Sequence, residues 1–314
     1  LGREFLDYAI DPFVSGIFAG VPEKLSVKSA FPKLYALEEE YGSILKGAVL
    51  GAQKRKKRSE KSKQSAKMLS FEQGMQTLTD ALESSLKNDI LYSTSFEEIK
   101  KKQGFITKIG AQGKFFEIRS KAVLFAIPAH KLTEIMFFSE IADELEKIYY
   151  PPVTVAFTGY KYNPAKIELD GFGFLIPRKE NRDILGTIWS SSIFKNRAPE
   201  GGAAFTSFIG GARQPGEAMK TQVEIFSSLQ KNFKDLMGIE KEPYIFEFKK
   251  WQKAIPQYQP GHSQIIEKIE RFENNNPGIF ISGNFRGGIS VADCIKQADR
   301  FAEIIYDFYK PKFL

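Results

Sequence analysis

Residues 279–294 read Ile-Phe-Ile-Ser-Gly-Asn-Phe-Arg-Gly-Gly-Ile-Ser-Val-Ala-Asp-Cys, and they are the stretch best suited to hold a ligand. An apolar strand over Ile279–Ser282 runs into Gly283 and turns at Gly287 and Gly288. It then enters a helix with apolar positions at Val291, Ile295, Ala298, Phe301 and Ile305. Such a helix start presents N–H groups without intrahelical partners at the positive end of the dipole. That is a cradle for an anion or a cofactor. An ordinary tight strand–helix turn has the same pattern, so this stretch alone leaves the ligand open.

Other chemistry is sparse. Asp7 and Asp11 lie one helical turn apart, as a pair of carboxylates might, yet charges on a helix face are generally just solvated. His130 and His262 stand alone and read as helix residues with satisfied hydrogen bonds. Cys294 has no adjacent histidine to activate it and reads as a packing residue. Two histidines and one cysteine argue against a His/Cys metal site, and the single cysteine fits a reducing compartment. No catalytic acid–base pair and no metal site are expected.

Those candidates must be positioned by a sizeable core, and composition provides one. The chain has 314 residues, 42% of them hydrophobic, with 28 Phe, enough for one large or two ordinary domains. No apolar run approaches the ~18 residues of a spanning helix. The net charge of +7 is local: residues 54–67 carry eight Lys and Arg against Glu60, which accounts for the whole excess. Interleaved aromatics for base stacking are missing there, which argues against nucleic acid. A solvated loop is the better reading, with a weak electrostatic contribution to an anionic membrane surface as the other.

Residues 1–87 read as mostly helical. A four-residue apolar rhythm covers 1–20, interrupted by Pro12. Pro32 opens a helix with Leu34, Leu37, Tyr41, Ile44 and Leu45, and Ser70 with Gln73 suggests a capping box before Leu78, Leu82 and Leu86. Short strands follow at Ile90–Phe96, Ile106–Ile109, Phe115–Arg119 and Val123–Ile127, the last apolar throughout and suited to a buried position. Pro128 ends it, and a helix with Leu132, Ile135 and Met136 follows. Val153–Tyr160, Phe172–Ile176, Ile184–Ser190, Ala204–Ile209 and Tyr244–Phe248 read as strands of an antiparallel sheet, with an amphipathic helix over Glu217–Leu236.

Several long motifs, in order along the whole chain, resemble the flavin amine-oxidase-like superfamily and, within it, the protoporphyrinogen oxidases. They are Leu-Gly-Arg-Glu-Phe with Phe-Val-Ser-Gly-Ile-Phe-Ala-Gly (1–20), Gly-Phe-Gly-Phe-Leu-Ile-Pro-Arg (171–178), Leu-Gly-Thr-Ile-Trp-Ser-Ser-Ser-Ile-Phe-Lys-Asn-Arg-Ala-Pro (185–199), Trp-Gln-Lys-Ala-Ile-Pro-Gln-Tyr (251–258) and the glycine turn itself. The resemblance implies a mixed α+β and α/β fold. Helices on an antiparallel sheet form a substrate domain from 1–87 and 150–250, and an incomplete Rossmann-like FAD domain comes from 88–149 and 251–314. The family's opening Gly-x-Gly-x-x-Gly is absent from this sequence. The expectation is therefore a C-terminal two-thirds that lacks the pyrophosphate cradle, does not retain FAD and is inactive alone.

By the same resemblance the cofactor is FAD, which takes hydrides from a porphyrinogen and passes electrons to oxygen, giving hydrogen peroxide and protoporphyrin. The flavin-facing positions are Phe96, Trp251, Gly283, Asn284, Ile289, Ser290 and Val291. Phe96 stands where the family usually has valine. The tetrapyrrole pocket would use Phe172, Gly173 and Leu175, the small Gly16 and Ala19, and, less securely matched, Phe194 and Phe208. Arg178 and Arg197 are not matched to the family's propionate anchor. Expected partners are a porphyrinogen, molecular oxygen, a peripheral membrane surface and a second copy in a homodimer, with no nucleic acid. The expected location is cytoplasmic, at the inner face of the membrane. Another flavin amine-oxidase-like enzyme and a non-catalytic porphyrin-binding module remain the alternatives.

Overall fold

The computed structural model describes residues 2–44, 46, 47, 49, 50 and 69–310. The basic segment 54–67 and Leu45 lie outside the described residues. The principal helices are α1 (Asp11–Phe18), α2 (Pro32–Tyr41), α3 (Gln76–Leu86), α4 (Gln222–Met237), α5 (His262–Asn275) and α6 (Val291–Tyr309). The strands are β1 (Thr94–Lys102), β2 (Gly104–Ala111), β3 (Lys114–Ser120), β4 (Val123–Ala126), β5 (Val153–Tyr160), β6 (Gly173–Leu175), β7 (Gly186–Ile188), β8 (Ala203–Gly210), β9 (Ile245–Trp251) and β10 (Ile279–Ser282). Two compact units result. The first comprises Leu1–Leu25, Lys67–Thr77 and Tyr150–Gln257, and the second comprises Ser26–Ala66, Leu78–Tyr149 and Tyr258–Leu314. Of the described residues, 26–44 and 78–87 thus group with 88–149, and 251–257 with the large sheet.

The first unit is built on an antiparallel sheet ordered β6-β7-β8-β5-β9. Side chains alternate between its faces. Ala156 and Tyr160 of β5, with Ala203, Phe205 and Ile209 of β8, pack against Ile225, Leu229, Phe233 and Met237 of α4. The α4 helix begins later than the apolar pattern suggests. Thr221 and Glu224 form a capping box, and a separate short helix, Pro215–Met219, precedes it. At the N-terminus, helix runs from Gly2 to Phe18 with a π-helical turn at Leu6–Ile10, which accommodates Pro12 near the start of α1 instead of a break.

Asp7 and Asp11 are not solvated. They are 8% and 6% exposed, and Asp11 Oδ2 accepts from Arg213 Nη2 and from the Arg178 N–H, both at 2.8 Å. Asp7 pairs with Lys179 at 2.7 Å, and that hydrogen bond holds its carboxyl below the usual range. These contacts pin α1 and the turn before it to the loop after β6. The Ser70–Gln73 capping box also does not form. The helix starts at Gln76, beyond the left-handed Gly74, and Ser70 Oγ instead accepts from Arg197 Nη2 at 2.8 Å.

In the second unit β1, β2 and β3 form an antiparallel meander, and β4 and β10 form a parallel pair. The first strand begins at Thr94 and extends to Lys102, beyond the expected end at Phe96. Only Ile99 of it is buried, so its charged residues sit on an exposed edge strand. After Pro128 the chain makes short turns, Ala129–Leu132, Met136–Ile141 and Ala142–Glu146, instead of one helix. Phe125, Phe138 and Phe272 meet at ring distances of 4.8 and 5.5 Å and join β4 to α5. Cys294 is exposed on α6 and does not serve packing. No helix among the described residues is long and apolar enough to cross a membrane.

Candidate functional site

The glycine turn follows the C-terminal end of β10, the end at which open parallel α/β sheets bind ligands. Its backbone is held from beneath by side chains of the second unit. Tyr258 Oη donates to the Asn284 carbonyl at 2.7 Å and accepts from the Gly288 N–H at 3.0 Å, so one phenol ties both sides of the turn. His262 stacks on the Tyr258 ring at 4.2 Å and donates from Nε2 to the Phe285 carbonyl at 2.8 Å. Gln297 of α6 donates to the Arg286 carbonyl at 2.5 Å. Gly287 has φ +88°, and a Cβ there would land on the Gln297 amide, so sequence and packing both require glycine.

Arg286 is the anchor. Its Nη1 donates to the Ile281 carbonyl at 2.7 Å and to Glu273 Oε1 at 2.9 Å, and the same carboxylate oxygen accepts from the Ile281 N–H at 2.7 Å. Phe301 lies under the guanidinium at 5.5 Å. Ser290 caps α6, accepting from the Asp293 N–H at 3.1 Å, so its side chain is committed and its backbone is what remains for a ligand. Val291 is 55% exposed one residue further on. Gly283, Asn284 and Ile289 are partly exposed and Ser290 and Val291 exposed, on the two arms of the turn that Tyr258 ties together. The space over Gly287 and Gly288 is taken by the Gln297 amide and the Asp293 carboxylate, which accepts from Ser290 Oγ, so what the turn can offer a ligand such as a flavin nucleotide is main-chain N–H at the start of α6. Phe96 belongs to the same unit. A β-bulge interrupts the pairing between Phe96 and Glu98, which leaves main-chain groups unpaired, while the Phe96 ring packs edge-on against Phe125 at 5.7 Å.

Two consequences are measurable. Tyr258→Phe keeps the stack and removes both turn hydrogen bonds. Amide exchange at Gly288 is expected to accelerate by about tenfold or more, the equivalent of about 1.4 kcal/mol. Unchanged protection would show that the phenol does not hold the turn. Burial lowers the His262 pKa from its ordinary 6.5. The unfolded chain then takes up a proton as pH falls through 6.5 while the folded chain resists, so stability is lost on acidification below that value and is level above it. His262→Gln, which retains a donor, is expected to flatten that slope in urea titrations across the acidic range.

The first unit carries the other candidates. In the β-register, Leu175, Gly186, Phe208 and Val155 form one row across the sheet. Gly173, Ile188, Thr206 and Phe157 form the next, and Trp251 pairs with Val153 beside them. All lie on the face turned away from α4. Gly173, Leu175 and Phe208, matched to the tetrapyrrole pocket, thus share one apolar face with Trp251, which was matched to the flavin side, and Trp251 and Leu175 are about half exposed. Gly16 of α1 sits over Leu175, whose Cδ2 would lie 2.6 Å from a Cβ at that position. A Cβ there would displace the Leu175 methyl groups, which are half exposed and can turn aside. Ala19 is buried, in the left-handed region at φ +50°, against Val153 and Leu185. Phe172 is exposed just before β6, and Phe194 is half-buried after the Ser190–Ile193 turn, 5.9 Å from the Arg197 guanidinium. A cavity of about 410 Å³ continues the face at Phe157, Ala204, Tyr244 and Ile245. Arg197 lines it but is committed to Ser70, Phe71 and Glu72.

Sequence reading missed Arg286, Tyr258 and Gln297, and placed His262 only as a bonded helix residue. Each acts through backbone carbonyls, for which periodicity gives no signal. Among the described residues no group of His, Cys, Asp and Glu could hold a metal ion.

Comparison with known proteins agrees with this geometry. The model of the flavin containing amine oxidoreductase family matches residues 1–306. The chain is 31% identical to the mitochondrial protoporphyrinogen oxidase of Nicotiana tabacum over 98% of its own length and 66% of that protein. It is 24% identical to the coproporphyrinogen III oxidase of Bacillus subtilis, over 95% of the chain and 63% of that protein. A solved structure from Exiguobacterium sp. 255-15, provisionally named a protoporphyrinogen oxidase, has the same fold. It superposes with a TM-score of 0.80 at 21% identity, covering 97% of this chain and 64% of that one. The chain thus spans just under two thirds of the length of these relatives.

Proposed function

The chain belongs to the flavin containing amine oxidoreductase family, and from that premise we propose that it forms the substrate sheet and one flavin flank of an oxygen-using porphyrinogen oxidase of haem biosynthesis. The observation that carries the reading is the joint presence of two surfaces. One is a backbone cradle at Gly283–Val291, and the other is an apolar sheet face bearing Leu175, Phe208 and Trp251. The main chain at Gly283, Asn284 and Ile289–Val291 would hold part of an FAD, whose chemistry would be hydride acceptance and reoxidation by oxygen with release of hydrogen peroxide. The chain's own task is orientation: the N–H groups at the start of α6 fix the cofactor, and the apolar rows accept a flat macrocycle while excluding water. No side chain is asked to move a proton.

This sequence contains no Gly-x-Gly-x-x-Gly turn, so it offers no glycine fingerprint for a pyrophosphate. The chain is therefore expected to be inactive by itself and to release FAD. Peripheral membrane contact and dimer formation belong to the same reading. The test has two arms on the purified chain. Protoporphyrin should quench the fluorescence of Trp251 saturably, and FAD added in excess should not remain after desalting. Absence of porphyrin quenching in a folded chain would remove the substrate-face assignment. Stoichiometric retained FAD would show that the α6 cradle suffices without the glycine fingerprint.

A further inference from the structure

A cleft of about 350 Å³ on the first unit lies outside both sets of residues described above. Val21, Lys24, Arg178, Asn181, Arg182 and Arg213 line it, and every charged side chain of its lining is a cation. The carboxylates that accompany these cations approach from outside the lining. Asp11 is shared between Arg213, at 2.8 Å, and Arg178, at 3.7 Å. Glu23 reaches Arg178 at 3.6 Å, and Asp235 reaches Arg182 at 3.1 Å.

Arg213 is the buried member, its side chain 7% exposed. Its two terminal nitrogens are used by the Ile176 carbonyl and by Asp11, while its buried Nε has no hydrogen-bond partner. Burial, and to a lesser degree the like charge of Arg178, work against its protonated form, while the Asp11 carboxylate supports it; the net direction is downward. Three carboxylates, Asp11, Glu23 and Asp235, stand against the four cations of the lining, and the buried Nε of Arg213 is left without an acceptor. Guanidinium groups with a lysine beside them match the geometry and charge of a tetrahedral oxyanion.

We propose that this cleft is a binding site for a phosphate-type oxyanion. Arg178 and Arg182 supply planar donors, Lys24 a mobile charge at the rim, and the Asn181 amide a neutral donor. Arg213 sets the positive field from below. The oxyanion could be carried by a soluble phosphorylated compound or by a lipid headgroup, and both present the same group to the cleft.

Isothermal titration of the full chain with inorganic phosphate, against chloride at matched ionic strength, tests the site. Saturable binding is expected. The double variant Lys24→Gln/Arg182→Gln is expected to weaken it by about tenfold or more, a loss of about 1.4 kcal/mol. Single Lys24→Glu, at an exposed position, serves as the second probe should the double variant unfold. Phosphate heats no larger than those of chloride, or variants that bind phosphate as the parent does, would overturn the proposal. Vesicles of phosphatidic acid in phosphatidylcholine then separate the sources. Sedimentation lost in the variants identifies a headgroup ligand. Sedimentation unaffected by them, with phosphate binding impaired, identifies a soluble one.

Discussion

Arg286→Ala is expected to destabilise the second unit by about 3–5 kcal/mol, the cost of leaving a buried carboxylate without its partner. Glu273 is 13% exposed at its side chain and shares one oxygen between Arg286 and the Ile281 N–H. Removing the guanidinium leaves that charge facing β10, and it strips the Ile281 carbonyl and the Phe301 ring of their contacts. The second tie, Arg286 to the half-exposed Glu270, is screened by solvent and contributes little. The double variant Arg286→Ala/Glu273→Ala should therefore recover part of the loss, because the uncompensated charge goes with the second substitution. Urea denaturation of the two single variants and the double variant measures this directly. A single-variant loss under about 1 kcal/mol, or a double-variant loss equal to the sum of the two single losses, would mean that the pair does not anchor the turn. Because the 283–290 backbone rests on this pair, the same variant should also raise amide exchange from Arg286 to Val291.

How much of this was legible in the sequence depends on where the information sits. The β10–turn–α6 unit was readable because its parts are local: an apolar strand, glycines and a helix pattern. The observed bounds Ile279–Ser282 and Val291–Tyr309 follow that pattern. Strands β5 and β8 were readable for the same reason, from alternating apolar residues. The family emerged from ordered motifs along the whole chain, and the family model matches residues 1–306. Contacts that join distant segments left no local trace. Asp11 meets Arg213 across some two hundred positions, and Arg197 reaches back to Ser70, so an apparently solvated carboxylate proved buried and an apparent helix cap proved an acceptor. The strand β1 illustrates the opposite failure. The apolar pattern ends its strand at Phe96, yet antiparallel pairing with β2 carries the Lys and Glu residues that follow as an exposed edge up to Lys102.

Gly173→Ala should separate the two roles that a small residue can have in the apolar face. Sequence matching made Gly173 a pocket residue, and the structure adds a backbone reason. Its φ is +132°, and a Cβ would collide with the carbonyl oxygen of Thr187 on the neighbouring strand β7. The obstacle is backbone, so no rotamer change relieves it. Strain of about 1–3 kcal/mol is expected from the conformation, with the clash added to it. A thermal midpoint lowered by more than about 5 °C is the expected result for a chain of this size. Gly171→Ala is the matched control, since a Cβ there would meet only the Trp189 ring, at ordinary contact distance. The displacement also has a direction. Because β6 holds Leu175 against Gly186 and under Gly16, pushing β6 off β7 moves Leu175 out of the row it shares with Phe208. Porphyrin quenching of Trp251 should weaken in Gly173→Ala even below its melting temperature and stay unchanged in Gly171→Ala. Equal porphyrin affinity in both variants would mean that the macrocycle does not lie on the Leu175–Phe208 row. The assignment of that face would then pass to the cavity at Phe157, Tyr244 and Ile245.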